Sequence, residues 1–305
     1  MIARERPMNN RVAIIGSGNI GCDLLTKVKR SRFLSCAIVA GQRPQSPGIA
    51  YAKSLGVRTS ADGVSALLND PDSFDMVFDA TSALAHMQHA RFFEEMGKTI
   101  IDLTPSARGK WCVPVINGGQ MSRGMNINMV TCGGQAAAPI AHALATASNG
   151  VEYVEVVSSI SATSAGPATR LNVNEYLSVT EAAIRGFAKC DRAKAILNIN
   201  PAVPPVTMQT TVFAKLRNAD EAKVSEAVHA VVEKVTKYVP GYELIVEPRI
   251  DGDRWMTMVR VQGAGAYLPS YAGNLDIITS AAVQVAETIS NQQYTRGESH
   301  VDRLR

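Results

Sequence analysis

One cysteine of the chain stands where its thiol could act as a nucleophile. Cys132 ends the apolar run 127–132 and precedes Gly133, Gly134 and the small residues of 135–148. This order places Cys132 between a strand and a helix, where backbone N–H groups and the helix dipole lower a thiol pKa. We therefore predict that Cys132 is a covalent catalytic residue and that the two glycines leave room for a substrate beside the sulfur. The other cysteines are predicted to be buried apolar groups: Cys22, Cys36, Cys112 and Cys190.

A glycine-rich turn near the start of the chain has the spacing G-x-G-x-x-G. It follows an apolar run that ends at residue 15 and precedes a segment with helical periodicity. Glycines at these positions permit a tight turn and a close approach of a pyrophosphate to the N-terminus of the helix. The alternative is a tight turn that binds no ligand. We predict a dinucleotide site formed by Gly16, Ser17, Gly18, Asn19, Ile20 and Gly21.

The residue that would select the ribose of such a cofactor is expected about twenty residues further on. The segment there reads Ala40-Gly41-Gln42-Arg43-Pro44 and contains no acid. Arg43 could contact a 2′-phosphate, or it could cover the adenine or point to solvent. The choice between NAD and NADP therefore stays open.

Two histidines lie three residues apart in a segment with helical periodicity. His86 and His89 could share a helix face, but the sequence offers no third metal ligand. We predict surface or packing roles for both residues and no metal site. Ser82 follows a predicted strand, where a doubly wound sheet opens its binding crevice.

The spacing of apolar runs predicts the elements that position these residues. Between residues 11 and 105 short apolar runs alternate with amphipathic segments, which is typical of a Rossmann-type doubly wound parallel sheet. After residue 150 longer, more alternating runs predict an α+β domain with a more antiparallel sheet. A helix over 274–291 is predicted to pack back on the first domain. We thus predict a dinucleotide-binding domain over 1–132, completed by 274–305, and a substrate and dimerisation domain over 133–273.

Composition excludes several other classes of protein. Of 305 residues, 46% are hydrophobic and 19% are charged, as expected for a globular α/β protein. No apolar stretch is long enough for a membrane helix, and the first residues lack the apolar region of a secretory signal. A net charge of +4 without a dense basic run disfavours nucleic-acid binding. Five cysteines without C-x-x-C spacing predict a reduced, cytoplasmic location.

Several motifs, in order along nearly the whole chain, resemble a known family. The matching segments are VAIIGSGNIGCD (12–23), FDATSA (78–83), IDLTP (101–105), VTCGGQA (130–136), SAGPATR (164–170), NPAVPP (200–205) and YAGNLDIITS (271–280). They are similar to the acylating acetaldehyde dehydrogenases, which partner 4-hydroxy-2-oxovalerate aldolase.

The resemblance implies a two-domain fold and the reversible conversion of an aldehyde, NAD⁺ and coenzyme A into an acyl-CoA and NADH. By position, Cys132 matches the thioester-forming nucleophile, Ser17–Ile20 match the pyrophosphate loop and Asn274 matches an asparagine near the nicotinamide. A homodimer, an aldolase complex and a place in aromatic hydrocarbon catabolism are also implied. A second cofactor-contacting segment matches Ser164, Ala165, Gly166, Pro167, Ala168, Thr169, Arg170, Leu171 and Asn172.

Three positions depart from the family pattern. Thr210 stands where the family usually has an Asp that assists the cysteine or a water, so the general base is unassigned. Gln42-Arg43-Pro44 replaces the family's Asp after the second strand, and the stretch from Glu247 to Trp255 is shorter than usual. The missing Asp at position 210 and the shortened segment favour a different acyl group, a different partner surface, or both.

Other functions remain open at the level of sequence. A semialdehyde dehydrogenase would use the same thiol and cofactor but pass the acyl group to phosphate, with Arg170 as an anion ligand, or to water. A biosynthetic enzyme would reduce an acyl-CoA, and its acyl group could be acetyl, propionyl or a bulkier one. A non-catalytic NAD-binding protein would bind the cofactor without turnover, which the intact VTCGGQA motif disfavours.

Overall fold

Two β-sheets, one parallel and one mostly antiparallel, organise the chain. The computed structural model describes residues 10–301, without the side chains of Pro167, Ala168 and 293–301. The chain passes from the first sheet to the second through one helix that begins at Cys132. Within the described residues, none of the helices has the length and apolar character needed to cross a membrane.

The first sheet has seven strands, and every pair of neighbours in it is parallel. The order across the sheet is β3-β2-β1-β4-β5-β7-β6. The strands are β1 (Asn10–Ile15), β2 (Leu34–Ala40), β3 (Thr59–Ser60), β4 (Met76–Asp79), β5 (Thr99–Asp102), β6 (Lys110–Trp111) and β7 (Asn126–Asn128). The predicted doubly wound parallel sheet is confirmed.

Both faces of this sheet are covered, which explains why its strands are apolar without alternation. On one face Val12 and Ile14 pack with residues of the first helix, and on the other Ala13 and Ile15 pack with Phe93. The helices of this half are α1 (Asn19–Val28), α2 (Pro47–Ser54), α3 (Ser65–Leu68), α4 (Ala83–Glu95) and α5 (Pro114–Asn117).

The second sheet has five strands in the order β11-β12-β10-β8-β9. All its pairs are antiparallel except β8 with β9. The strands are β8 (Val151–Ser161), β9 (Arg192–Asn200), β10 (Met208–Leu216), β11 (Tyr242–Asp251) and β12 (Arg254–Val261). Alternate residues face a core formed with α6 (Cys132–Thr146), α8 (Val173–Ala188) and α9 (Glu221–Thr236).

The last helix, α10 (Gly273–Val301), packs against the first half of the molecule, as predicted. Its first turns are tied to α1 by a buried cluster around Lys27. The Lys27 ammonium group donates to Asp23, to the Asp276 carboxylate at 2.9 Å and to the Thr279 hydroxyl at 2.7 Å. The short helix α7 (Pro167–Leu171) precedes α8.

Candidate active site

A strained turn brings Cys132 to the start of α6. The strand β7 ends at Asn128, earlier than predicted, because Val130 has a φ of +61°, which a β-branched residue rarely adopts. The buried side chain of Asn128 holds this turn by accepting from the Val130 N–H at 2.8 Å. The Thr131 hydroxyl then caps α6 by accepting from the Gly134 N–H at 2.9 Å. Backbone strain of this kind is concentrated at functional sites.

The Cys132 sulfur has one side-chain hydrogen-bond partner among the described residues, the Tyr176 hydroxyl at 3.4 Å. Burial raises the pKa of the Cys132 thiol, whereas hydrogen bonds from Tyr176 and from the backbone N–H groups of Gly133 and Cys132 lower it. Burial outweighs the donors, so the pKa of the Cys132 thiol is raised and not lowered as predicted. Desolvation disfavours the thiolate, and a helix N-terminus alone does not offset it.

The glycine after Cys132 leaves room for Tyr176. A Cβ atom built on Gly133 would lie 2.3 Å from the Tyr176 hydroxyl oxygen, and one built on Gly134 would lie 2.7 Å from a Val130 methyl group. The expectation that these glycines make space for a substrate is therefore corrected. They allow α6 to begin against α8 and against the strained turn.

Cys132 opens onto a crevice between the two halves of the molecule. Two buried polar atoms of its lining have no hydrogen-bond partner, the Asn274 Oδ1 and the Thr104 Oγ1. No Asp, Glu, His, Lys or Arg is among the described residues of the lining. These are Ile20, Ala80, Thr81, Ser82, Ala83, Leu103, Thr104, Pro105, Val130, Thr131, Cys132, Thr169, Asn172, Tyr176, Asn274, Leu275 and Ile278.

A second cleft begins at the glycine-rich turn and shares Thr81 and Ser82 with the crevice. Gly16 has a φ of +112°, and a Cβ atom on Gly21 would lie 1.9 Å from the Gly16 carbonyl oxygen, so both positions need glycine. A Cβ atom on Gly18 would meet nothing within 4 Å, because Gly18 faces the cleft. Asn19 begins α1 at this turn.

These features fit an extended dinucleotide. The open space over Gly18 at the N-terminus of α1 suits a pyrophosphate, and the unpaired oxygen of Asn274 suits a carboxamide N–H in the crevice. A hydrogen bond from the Asn274 side chain to the Ser164 carbonyl, at 3.3 Å, orients that oxygen.

The ribose end of the cleft contains a residue that sequence reasoning missed. Arg43 and Gln42 line this end, and so does Asp62, which follows β3. The prediction considered only residues after β2, whereas the parallel pairing of β2 with β3 brings both strand ends together. β3 has two residues, too few for a periodic signal.

The segment 164–172 enters the site only in part. Thr169 and Asn172 line the crevice, whereas Leu171 is 83% exposed. The Arg170 guanidinium donates from Nε to the Ala165 carbonyl at 3.0 Å and from Nη2 to the Ala162 carbonyl at 2.8 Å. The predicted contributions of the Pro167 and Ala168 side chains lie outside the described residues. Ser164 and Ala165 are buried, and a Cβ atom built on Gly166 would meet nothing within 4 Å.

The two histidines of α4 are buried beside Asp79, so the predicted surface role is wrong for both and the packing alternative remains. His86 Nδ1 and His89 Nδ1 each lie 3.0 Å from Asp79 Oδ2 at the end of β4. His86 Nε2 lies 3.4 Å from a carboxylate oxygen of Asp102 at the end of β5. No group of three or more His, Cys, Asp or Glu side chains suited to a metal ion occurs within the described range.

This cluster shapes the loop between the two clefts. The other Asp79 oxygen, Oδ1, accepts from the N–H and the hydroxyl of Thr81 at 3.1 and 2.5 Å. Despite burial, its hydrogen bonds lower the pKa of Asp79 to about 2, and the two carboxylates raise the pKa of His86. Burial raises the pKa of Asp102 to about 6.

Thr210 lies in the layer behind Cys132. It is fully buried on β10, and its hydroxyl lies 3.0 Å from that of Ser158 on β8. Ser158 in turn faces Gly133, whose built Cβ atom would lie 3.1 Å from the Ser158 oxygen. A pair of hydroxyl groups therefore stands beneath the start of α6.

Comparisons with known proteins agree with this geometry. A family described as prokaryotic acetaldehyde dehydrogenase, dimerisation, matches residues 132–269, and one described as semialdehyde dehydrogenase, NAD binding domain, matches 11–147. An acetaldehyde dehydrogenase of Pectobacterium atrosepticum is 52% identical over 93% of this chain and 97% of its own length. Others, from Burkholderia pseudomallei and Carboxydothermus hydrogenoformans, are 49% and 46% identical, each over 93% of this chain and 95% of its own length.

One solved structure supports the fold alone. An aspartate semialdehyde dehydrogenase II of Vibrio cholerae, complexed with ASA, superposes with a TM-score of 0.63 at 15% sequence identity. The match covers 93% of this chain and 99% of that one.

Proposed function

Because the chain belongs to the acetaldehyde dehydrogenase family, we propose that it is an acylating aldehyde dehydrogenase that works through a thioester on Cys132. The reaction is the reversible conversion of an aldehyde, NAD⁺ and coenzyme A into an acyl-CoA and NADH. The observation that carries this proposal is the position of Cys132 in a crevice whose described lining is uncharged and which shares Thr81 and Ser82 with the cleft of the glycine-rich turn.

The residues of the crevice account for the covalent steps. The Cys132 thiolate attacks the aldehyde carbon, and the resulting oxyanion accepts hydrogen bonds from backbone N–H groups at the start of α6. Gly18 and Asn19 hold the pyrophosphate of NAD⁺, and Asn274 orients its carboxamide. The bound nicotinamide supplies a hydride acceptor. Cys132 then carries the acyl group until the thiol of coenzyme A takes it.

The uncharged lining favours coenzyme A over water and phosphate as the acyl acceptor. Water needs a general base, and no carboxylate or imidazole is among the described residues of the crevice. Phosphate needs a cation, and Arg170 already donates to two backbone carbonyl groups. A thiol ionises more readily and exchanges easily with a thioester, so it needs neither group.

NAD is the proposed main cofactor, with some use of NADP. Asp62 at the ribose end can accept from the ribose hydroxyls, as an acid does in NAD sites, while Arg43 beside it can pair with a 2′-phosphate. The two residues have opposite effects on a 2′-phosphate, so we expect neither cofactor to be fully excluded.

The open face of the second sheet is the proposed dimer interface. On the face of the sheet that points away from the core, Phe213 pairs with Met256, Thr211 lies between Val157 and Met258, and Ile196, which is 42% exposed, pairs with Val157. Apolar patches of this kind mark interfaces between chains. An aldolase partner would bind elsewhere, and the short segment 247–255 is a candidate contact. Co-expression with an aldolase and size-exclusion chromatography would test this.

A panel of acyl-CoA thioesters with NADH or NADPH tests the activity. We expect acyl-CoA-dependent loss of the absorbance of the reduced cofactor, and the fastest acyl-CoA names the acyl group. In the oxidative direction coenzyme A should support turnover and phosphate should not. Turnover with phosphate alone would instead establish a phosphorylating semialdehyde dehydrogenase, and NADH binding without any turnover would establish a non-catalytic protein.

A further inference from the structure

Tyr176 on α8 is the one described residue with an ionisable side chain, besides Cys132 itself, that lines the crevice. Its hydroxyl oxygen lies 3.4 Å from the Cys132 sulfur and accepts from the Gly133 N–H at 2.9 Å. The ring is buried, with 7% of the residue exposed. The phenol is therefore placed against the start of α6, where the nucleophile lies.

The donor and the acceptor in each hydrogen bond of Tyr176 follow from the protons that its hydroxyl and the Gly133 N–H have to donate. A phenol has one proton to donate. Because the Gly133 N–H is a donor, it occupies a lone pair of the Tyr176 oxygen, and the phenol proton is left for another acceptor. The Cys132 sulfur is that acceptor, since the phenol is a donor and a thiolate is a strong acceptor.

A chain of hydroxyl groups fixes Tyr176 in this position. The Thr180 hydroxyl donates to the Tyr176 carbonyl at 2.7 Å and lies 2.7 Å from the Thr131 hydroxyl. Thr131 is the residue that caps α6. The contact between Thr131 and Thr180 thus joins α6 to α8, and it lies within one helical turn of both Cys132 and Tyr176.

We propose that Tyr176 is a catalytic residue whose hydroxyl donates to the Cys132 sulfur and stabilises the thiolate. This inference rests on the proposed function. The thiol proton leaves to solvent through the crevice. A sulfur electron pair then forms the C–S bond with the aldehyde carbon, and the carbonyl π pair moves to oxygen. Tyr176 keeps its proton throughout.

The phenol acts as a donor and not as a base. Burial and the neighbouring Cys132 raise the pKa of Tyr176 well above its ordinary value, so the hydroxyl stays protonated at neutral pH. With no charged residue in the described lining of the crevice, this donor and the backbone N–H groups are what opposes the desolvation of the thiolate.

The test measures the pH dependence of alkylation at Cys132. Iodoacetamide reacts with the thiolate, and peptide mass spectrometry separates Cys132 from the other cysteines. In Tyr176→Phe we expect the rate near neutral pH to fall roughly tenfold, with recovery at alkaline pH, because a hydrogen bond to a charged group is lost. Tyr51→Phe removes the hydroxyl that contacts Thr26 on α1 and should leave the profile unchanged.

A profile of Tyr176→Phe that coincides with that of the wild type would overturn the inference. NAD⁺ binding checks that the Tyr176→Phe variant is folded. If it fails this check, the test uses Tyr176→Ala with added p-cresol, which supplies the missing phenol. p-Cresol should restore alkylation near neutral pH and toluene should not, whereas equal effects of the two would show that only packing matters. Turnover retained by Cys132→Ala would contradict the proposed function, and this result is independent of the alkylation profiles of the Tyr176 variants.

Discussion

The described residues that line the crevice around Cys132 offer hydrogen-bond donors to the sulfur, and none of them has a charged side chain. The positions of the candidate cysteine and of the glycine-rich turn could be predicted from sequence, because a cysteine at a strand-to-helix junction and a G-x-G-x-x-G turn have local signatures. Tyr176 could not be recognised, because it is 44 residues from Cys132 and meets it through the packing of α8 on α6. The raised pKa of the Cys132 thiol could not be predicted either, because the burial that causes it depends on the packing of the whole fold.

Removal of the nucleophile should abolish turnover and spare cofactor binding. In Cys132→Ala the acyl group has no acceptor on the enzyme, while the glycine-rich turn is untouched. We expect at least a thousandfold loss of kcat, on the scale of other lost catalytic nucleophiles, with an unchanged Kd for NAD⁺ by calorimetry. Cys36→Ala, another half-buried cysteine, is the control and should keep full activity.

A carboxylate at position 210 should destabilise this protein. Thr210→Asp would place an acid beside the Ser158 hydroxyl in a fully buried site and cost about 3 kcal/mol of unfolding free energy at neutral pH. The folded-state pKa of that acid would be raised, so the loss should shrink as pH falls and the acid becomes neutral. Urea unfolding at acidic and neutral pH measures this, with the exposed Gln209→Asp as control. Equal stability of both variants at neutral pH would contradict the prediction.

A side chain on Gly18 should block the cofactor without harming the fold. The built Cβ atom meets nothing within 4 Å, so valine fits the protein but fills the space proposed for the pyrophosphate. We expect Gly18→Val to raise the Kd for NAD⁺ at least tenfold, equivalent to about 1.4 kcal/mol. Gly119 has the same open surroundings away from the cleft, and Gly119→Val should leave the Kd unchanged. An unaltered Kd in Gly18→Val would place the cofactor elsewhere.

Among the elements, strands with a strong pattern could be predicted and edge strands could not. The buried strands β1, β4 and β5 are continuous apolar runs, and β12 alternates residue by residue. The edge strand β9 is largely exposed, so it has no clear pattern. Its counterpart β11 contains Pro248 and two register shifts, as is typical of edge strands.

His86 on α4 contacts Asp79 at the end of β4 and Asp102 at the end of β5, and loss of these contacts should lower the free energy of unfolding. Replacing His86 by Asn leaves the buried Asp79 and Asp102 without their shared cation, which we expect to cost about 3 kcal/mol. The folded-state pKa of His86 is raised, so its stabilisation is complete below the ordinary histidine pKa and is lost as pH rises through the raised value. The difference between variant and wild type should therefore narrow at alkaline pH.

The control for this experiment is His229→Asn. His229 pairs with Glu247 at the surface, where an ion pair contributes about 0–1 kcal/mol. Chemical unfolding across the pH range compares the two variants. A His86→Asn difference that stays constant with pH would mean that the imidazole is not charged in the folded protein.

For the whole molecule, the exposed sheet face predicts the assembly. Met258→Arg places a charge among Val157, Phe213 and Met256, so a dimer formed through this face should dissociate at least ten times more readily. Light scattering over a range of concentrations measures the change. Met87→Arg changes a methionine that is 39% exposed on α4, away from this face, and should leave the dimer intact. A dimer that tolerates Met258→Arg forms through another surface.

In the proposed reaction, the reacting residues and the residues that surround the substrate come from different parts of the fold. Cys132 and Tyr176 belong to helices packed on the second sheet, whereas Ala83, Leu103 and Pro105 belong to the loops and helix start that follow β4 and β5. Loops tolerate substitution better than packed helices. Under the proposed function, an evolving lineage can thus exchange one acyl chain for another through the residues of these loops while its reaction is inherited unchanged.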